Sequence, residues 1–201
     1  MPSKTDIANS ALDKIGQTPI ADITSTASSK ERALLRNFES AVREAGERMP
    51  WTCLTEFADL VQSGTAPFKW GYSFSKPANF LRVNRFNQIT IDHQVNDHFQ
   101  CVDRFILTDA DTAQIEYNEY NDNTGLYTPL FVEAIAWSLA AKVAPTILGG
   151  AGDIPTLMQG FESAIGRAAT VDGHQREDIN VINQVIQGSR LVSARRFSTN
   201  G

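Results

Sequence analysis

From Pro129 to Ala144, apolar residues fill almost every position that a helix would turn inward. Phe131, Ile135, Leu139 and Val143 recur every fourth residue. Leu130, Ala134 and Trp137 widen that face, and Ala136, Ala140, Ala141 and Ala144 surround it with small residues. A helix apolar over this much of its circumference belongs inside a core. Thr128 suits the N-cap, and Pro129 suits the first helical position, where a missing N–H costs nothing. Only Glu133, Ser138 and Lys142 are predicted to look outward. The pattern predicts the central helix of a bundle, broken after Ala144 by Pro145 and the glycine-rich stretch Leu148–Asp153.

Three further helices follow from the same periodicity. Ser3 and Asp6 make a capping-box start, with Ile7, Ala8, Ala11, Leu12 and Ile15 on one face and Gly16 as the stop. Ser28 and Glu31 make a second box, followed by Leu34, Leu35, Phe38, Ala41, Val42, Ala45 and Met49, and Pro50 ends that helix. Its many charges read as a solvated face with i,i+4 pairs, or as a contact between subunits. Pro155 opens the last helix, with Leu157, Met158, Phe161, Ala164, Ile165 and Ala168 inward and an end near Asp172-Gly173.

Between the second helix and the central one the period changes. Phe68, Trp70, Tyr72 and Phe74 alternate with Lys69, Gly71 and Ser73, which is strand spacing. Short β-rich pieces follow at Phe80–Phe86, Gln88–Ile91, Phe99–Val102, Phe105–Leu107 and Gln114–Tyr117, separated by Asp, Asn and Gly clusters. They are too short and numerous for βαβ units and read as an antiparallel insert. The predicted fold is therefore α+β. Residues 1–50 and 128–172 form a helical bundle, residues 51–127 a β-rich insertion, and residues 173–201 an extended C-terminal tail. The tail holds scattered Ile and Val but too little apolar surface to offset its own ordering entropy, so it is disordered alone or docks elsewhere.

At 201 residues the chain suits one domain, or a core with an inserted lobe. A net charge of −5 argues against a protein held on nucleic acid by a general basic surface. It is compatible with a wall past which DNA slides. Cys53 and Cys101, far apart and in no metal spacing, read as reduced thiols. The start of the chain has no apolar signal-peptide core, and no apolar run is expected to span a bilayer.

Candidate chemistry is thin. Asp92, His93, Asp97, His98, Cys101 and Asp103 form a metal-like cluster, but without a zinc spacing it reads as a polar β-loop. Asp109, Asp111 and Glu116 offer a carboxylate trio, although Asp-Ala-Asp between strands is common turn chemistry. Gly149–Gly152 precedes a helix but lacks the Lys-Ser/Thr of a phosphate loop, so it reads as a helix stop and linker. Trp51, Trp70 and Tyr72 read as a buried sheet face in preference to a stacking platform. The expectation is a chain that is not an enzyme, with no catalytic residues, cofactor or metal. Arg190, Arg195, Arg196 and Phe197 are the candidate contact residues toward a portal or a neighbouring subunit, since Arg and aromatics anchor interfaces.

Five motifs occur in a fixed order. Thr5–Gln17 opens the chain, Met49-Pro-Trp51 closes the second helix, and Lys69–Val83 follows. Ile115-Glu-Tyr117 and Pro129–Pro145 complete the series. This order resembles the tail tubular protein A family of short-tailed bacteriophages, over roughly residues 3–172. The resemblance implies a virion head-to-tail adaptor (connector). Such a protein forms a homo-oligomeric, commonly dodecameric ring under the portal protein, carries the tail nozzle and fibres, and lets DNA pass during ejection. It would be assembled in the host cytoplasm, let DNA pass through its lumen without specific binding and have no membrane partner. The matching residues Asn9, Leu12, Ile15, Gly16, Trp51, Trp70, Tyr72, Pro77, Tyr117 and Leu139 are expected to be structural. Two rivals are a neck or head-completion adaptor of a long-tailed phage and a tail-associated polysaccharide hydrolase using the carboxylate trio.

Overall fold

The computed structural model describes residues 2–87, 98–150 and 153–175. It is a mixed α+β structure of four helices and two three-stranded antiparallel sheets. Residues Met1–Ala168 make one compact unit and Ala169–Gly201 a second.

Both predicted capping boxes are present. In α1 (Lys4–Lys14), Ser3 Oγ accepts the Asp6 N–H at 3.1 Å, and the Asp6 carboxylate accepts the Ser3 N–H at 2.8 Å. Gly16 follows at φ +65°, a left-handed position that glycine fills without Cβ strain. In α2 (Ser29–Arg48), Ser28 and Glu31 repeat the arrangement at 3.2 and 2.9 Å. Leu35, expected inward, is instead exposed, and Ala33 is buried. The buried stripe runs through Ala33, Leu34, Phe38, Ala41, Val42 and Ala45, and one further residue of rotation carries Leu35 past its margin.

The central helix, α3 (Pro129–Leu148), is longer than predicted. It continues through Pro145 and ends at Gly149, φ +70°. So close to the C-terminus the proline removes a single backbone bond, and its fixed φ is helical. At 20 residues, α3 meets the length and composition of a membrane-crossing helix, where the sequence predicts no such run. Its apolar surface is taken up inside the protein by α1, α2 and the shared core. Of its three polar residues expected to look outward, Ser138 is buried and Glu133 and Lys142 are half-buried. Ser138 donates to Glu44 Oε2 at 2.6 Å, and Lys142 pairs with the same carboxylate at 3.1 Å. Glu133 accepts from Lys14 Nζ and from Trp137 Nε1, both at 2.9 Å.

The last helix, α4 (Ile154–Gln175), runs past the predicted stop at Asp172-Gly173. Leu157, Phe161, Ala164 and Ala168 join the same core. Gly160 lies flat against the Trp137 indole; a Cβ there would sit 2.5–2.7 Å from three ring carbons. Trp137 thus packs within its own chain.

The sheets differ from the predicted strands in two places. Strand β1 (Thr55–Asp59) was not foreseen; it follows a 3-10 turn at Thr52–Leu54. The alternation from Phe68 to Phe74 becomes a strand only at β2 (Tyr72–Ser75). Strands β3 (Phe80–Phe86), β4 (Phe99–Val102), β5 (Phe105–Thr108) and β6 (Gln114–Glu119) match the predicted pieces, while Gln88–Ile91 lies outside the described residues. One sheet has the order β1-β6-β3 and the other β2-β5-β4. Phe74, Phe86, Ile106, Ala113, Ile115 and Tyr117 form a second, smaller core between strands of both.

Asn118 on β6 ties the sheet to the helices. Fully buried, it donates to the Gly46 and Met49 carbonyls at 2.7 Å each, satisfying two acceptors at the end of α2. Its Oδ1 accepts from Asn84 Nδ2 at 2.8 Å and from the Trp51 N–H at 3.3 Å. Trp51 in turn donates its indole N–H to Ala45 O at 2.7 Å and packs on Phe131, ring centroids 4.8 Å apart.

Candidate assembly surface

The candidate contact residues Arg190, Arg195, Arg196 and Phe197 lie outside the described residues, as do Asp92, His93 and Asp97 of the metal-like cluster. Of the remainder, the His98 ring is 6.3 Å from Trp70. Asp103 sits in the β4–β5 turn at φ +45°, and burial pushes the Cys101 thiol up against the opposing effect of Lys76. Among the described residues no three His, Cys, Asp or Glu side chains are grouped to hold a metal.

The carboxylate trio is divided between different structural tasks. Asp109 Oδ1 accepts the Gly71 N–H at 2.9 Å, bracing the entry to β2. Glu116 is buried in β6 and faces Arg85, Nε to Oε2 3.4 Å. The three aromatics are also separated: Trp51 is in the helical core, whereas Tyr72 neighbours Phe74 on β2. Residues that carry the motif resemblance have evident packing roles. Asn9 accepts the Ile20 N–H at 2.8 Å and donates to Ile20 O at 3.1 Å, clasping the connector to α1. Leu12 and Leu139 are fully buried, and Tyr117 stacks on Phe80.

Among the described residues, the exposed aromatics Phe57, Phe68 and Phe99 all lie in the β segment. The β1-β6-β3 sheet carries a groove of about 380 Å³, with Phe57, Ala58 and Ile115 as its apolar lining and Asp59, Arg85 and Glu116 as its charged one. Register explains the grouping: Phe57 lies opposite Glu116 on β6, and Arg85 lies opposite the same residue on the other side. Gln114 donates to Asp59 Oδ1 at 2.7 Å, and its backbone N–H donates to Asn87 Oδ1 at 2.7 Å, so the far end of the groove is hydrogen-bonded in place. With two carboxylates against one guanidinium, the lining is net acidic. Phe57 is 71% exposed at its edge.

A second feature lies between β1 and β2. Phe68 and Lys69 are the central residues of a turn closed by the Trp70 N–H donating to Pro67 O at 3.4 Å. Phe68 has φ +60° and is completely exposed. A first central turn residue with positive φ is ordinarily glycine. An aromatic there is strained by about 1–3 kcal/mol. Lys69 Nζ lies 5.5 Å from the Trp70 ring centroid. Strand periodicity misassigned Phe68; the signal that identifies the turn is the preceding Ala66-Pro67.

Another open groove, near Pro77 and Phe80, is bordered by Arg43, Lys76 and Arg104, but each cation has a local partner. Arg43 pairs with Glu39 at 2.8 Å and lies over Tyr120. Lys76 donates to Asp103 O at 2.7 Å, and Arg104 pairs with Asp103 at 3.6 Å. Burial, reinforced by the Asp122 carboxylate, pushes the Tyr120 phenol up to about 12.

No protein-family model matches this chain, and no curated protein matches it.

Proposed function

We propose that the chain is a structural virion protein, a head-to-tail adaptor that forms a ring between the portal and the tail nozzle of a bacteriophage. In this reading residues 1–50 and 128–175 are a helical bundle, the β-rich insertion 51–127 supplies contact surface, and the chain beyond α4 is an arm. The arm, through Arg190, Arg195, Arg196 and Phe197, reaches a neighbour or the portal. The role is mechanical and not enzymatic. Many copies of one modest interface add up to a stable assembly by multivalency, and a net charge of −5 favours a lumen to which DNA does not adhere.

The observation that carries the reading is the unequal distribution of exposed apolar side chains. Among the described residues, the exposed aromatics Phe57, Phe68 and Phe99 all lie in the sheet segment, with Val61 and Val102 beside them, whereas the helices expose only the aliphatic Leu35, Leu148 and Val171. Exposed aromatics rimmed by charge mark protein–protein contact. The ordered motif series supplies the family and the ring. Electron microscopy of the purified protein, alone and mixed with its portal, tests the proposal. Closed rings or portal-bound rings are the expected result, and monomers under both conditions would sink it.

A further inference from the structure

We propose that neighbouring copies of this chain join head to tail, with the Phe68–Lys69 turn of one copy seated in the β1-β6-β3 groove of the next. The proposal rests on the ring-adaptor reading and names the surfaces that would build the ring.

Three observations converge on a second copy as the occupant. Phe68 is completely exposed and held in left-handed backbone, so the chain presents an aromatic knob at a conformational cost. The groove offers the matching environment: the exposed Phe57 and the half-buried Ala58 provide apolar contact. A cavity of about 150 Å³ is enough to hold benzene. About 380 Å³ therefore accommodates the Phe68 ring together with part of the adjoining Lys69 stem. Charge agrees as well. The turn carries one cation, Lys69, and the groove lining is net acidic, with the exposed carboxylate of Asp59 at its end.

Full exposure of Phe68 shows that a chain's own turn does not fill its own groove. Knob and groove are different patches of one chain, so their union is heterologous. Such an interface repeats from copy to copy and closes into a ring when its rotation permits. Asp59 and Lys69 then set the register, and the two phenylalanines supply the buried anchor.

The test is sedimentation velocity on the full chain and on two variants, each checked for native circular dichroism. The turn variant carries Phe68→Ala and Lys69→Ala, and the groove variant carries Asp59→Lys. Wild type is expected to assemble, and each variant alone to associate at least about tenfold more weakly. Mixed in equal amounts, the variants are expected to give a one-to-one dimer and nothing larger, because only one intact turn and one intact groove remain. Placing Lys69→Glu and Asp59→Lys in the same chain is expected to restore part of the assembly.

Wild-type rings unaffected by either variant would overturn the interface and leave the ring reading standing. Open chains or filaments that both variants abolish would support the interface while counting against the ring. A wild type that stays monomeric at every concentration, or a symmetric dimer that the mixture fails to reproduce, would overturn the interface.

Discussion

On α3, Ser138, Glu133 and Lys142 each reach a partner on another helix, so even the polar side of the central helix is engaged inside the chain. In the β segment the picture differs: Phe57 on β1 and Phe68 in the β1–β2 turn project into solvent beside charged neighbours. Both regions belong to one compact unit and are joined by the buried Asn118. The difference separates two kinds of apolar surface: most of that on the helices holds the chain together, whereas Phe57 and Phe68 belong to neither core.

Trp51→Ala strikes the helical side hardest. It removes a fully buried indole, its contact with Phe131 and its bond to Ala45 O. A loss of about 3–5 kcal/mol is expected in urea unfolding. A loss below about 1 kcal/mol would show that the helical core is looser than its packing implies. Gly160→Ala comes next. The new methyl must displace the Trp137 ring or move α4, which costs about 1–3 kcal/mol by overpacking. Trp137→Leu in the same chain should recover part of that loss by vacating the ring's space.

Acid should loosen the helical side first. Glu133 is pulled up by burial, but hydrogen bonds from Lys14 and Trp137 outweigh that and hold it below its ordinary value. The Ser28 backbone N–H holds Glu31 low, the Ser3 backbone N–H holds Asp6 low, and the Lys4 ammonium holds Asp122 low. A carboxylate depressed on folding contributes stability above its unfolded pKa and loses it as the pH falls through the folded one. Amides in α1 and α2 should therefore lose protection, measured against the intrinsic exchange rate at each pH, below the usual carboxylate range and ahead of those in β3 and β6. Simultaneous loss of protection would show that the two regions open as one unit.

The smallest effect is expected on the sheets. Phe57→Ala should change stability by less than about 0.5 kcal/mol, as for other exposed side chains. Phe68→Gly should leave stability unchanged or raise it, because glycine accepts φ +60° without strain. A marked destabilisation by either substitution would mean that these aromatics serve the fold and not an interface.

Much of the helical part was legible in the chain. Ser3 with Asp6, Ser28 with Glu31, and Thr128 with Pro129 announce helix starts through interactions that span three residues. Such local bonds form wherever the segment sits. The apolar stripe of α3 likewise needed only a period of 3.6. The exposed aromatics of the β segment were not legible. Phe68 matched strand spacing, yet a turn claimed it, and β1 has too weak an alternation to stand out before β6 pairs with it across more than fifty residues.

By itself the sequence determined where the helices begin, which face of α3 is buried, and that short antiparallel strands lie between α2 and α3. These properties follow from caps and periodicity, which act within a few residues along the chain. Tertiary structure alone decided that Ser138 is buried against Glu44, that Glu116 faces Arg85, and that Phe57 borders a groove while Phe68 stands free. Each of those outcomes depends on strand register or helix approach between distant segments, and a side chain's exposure is settled only when the partner segment arrives.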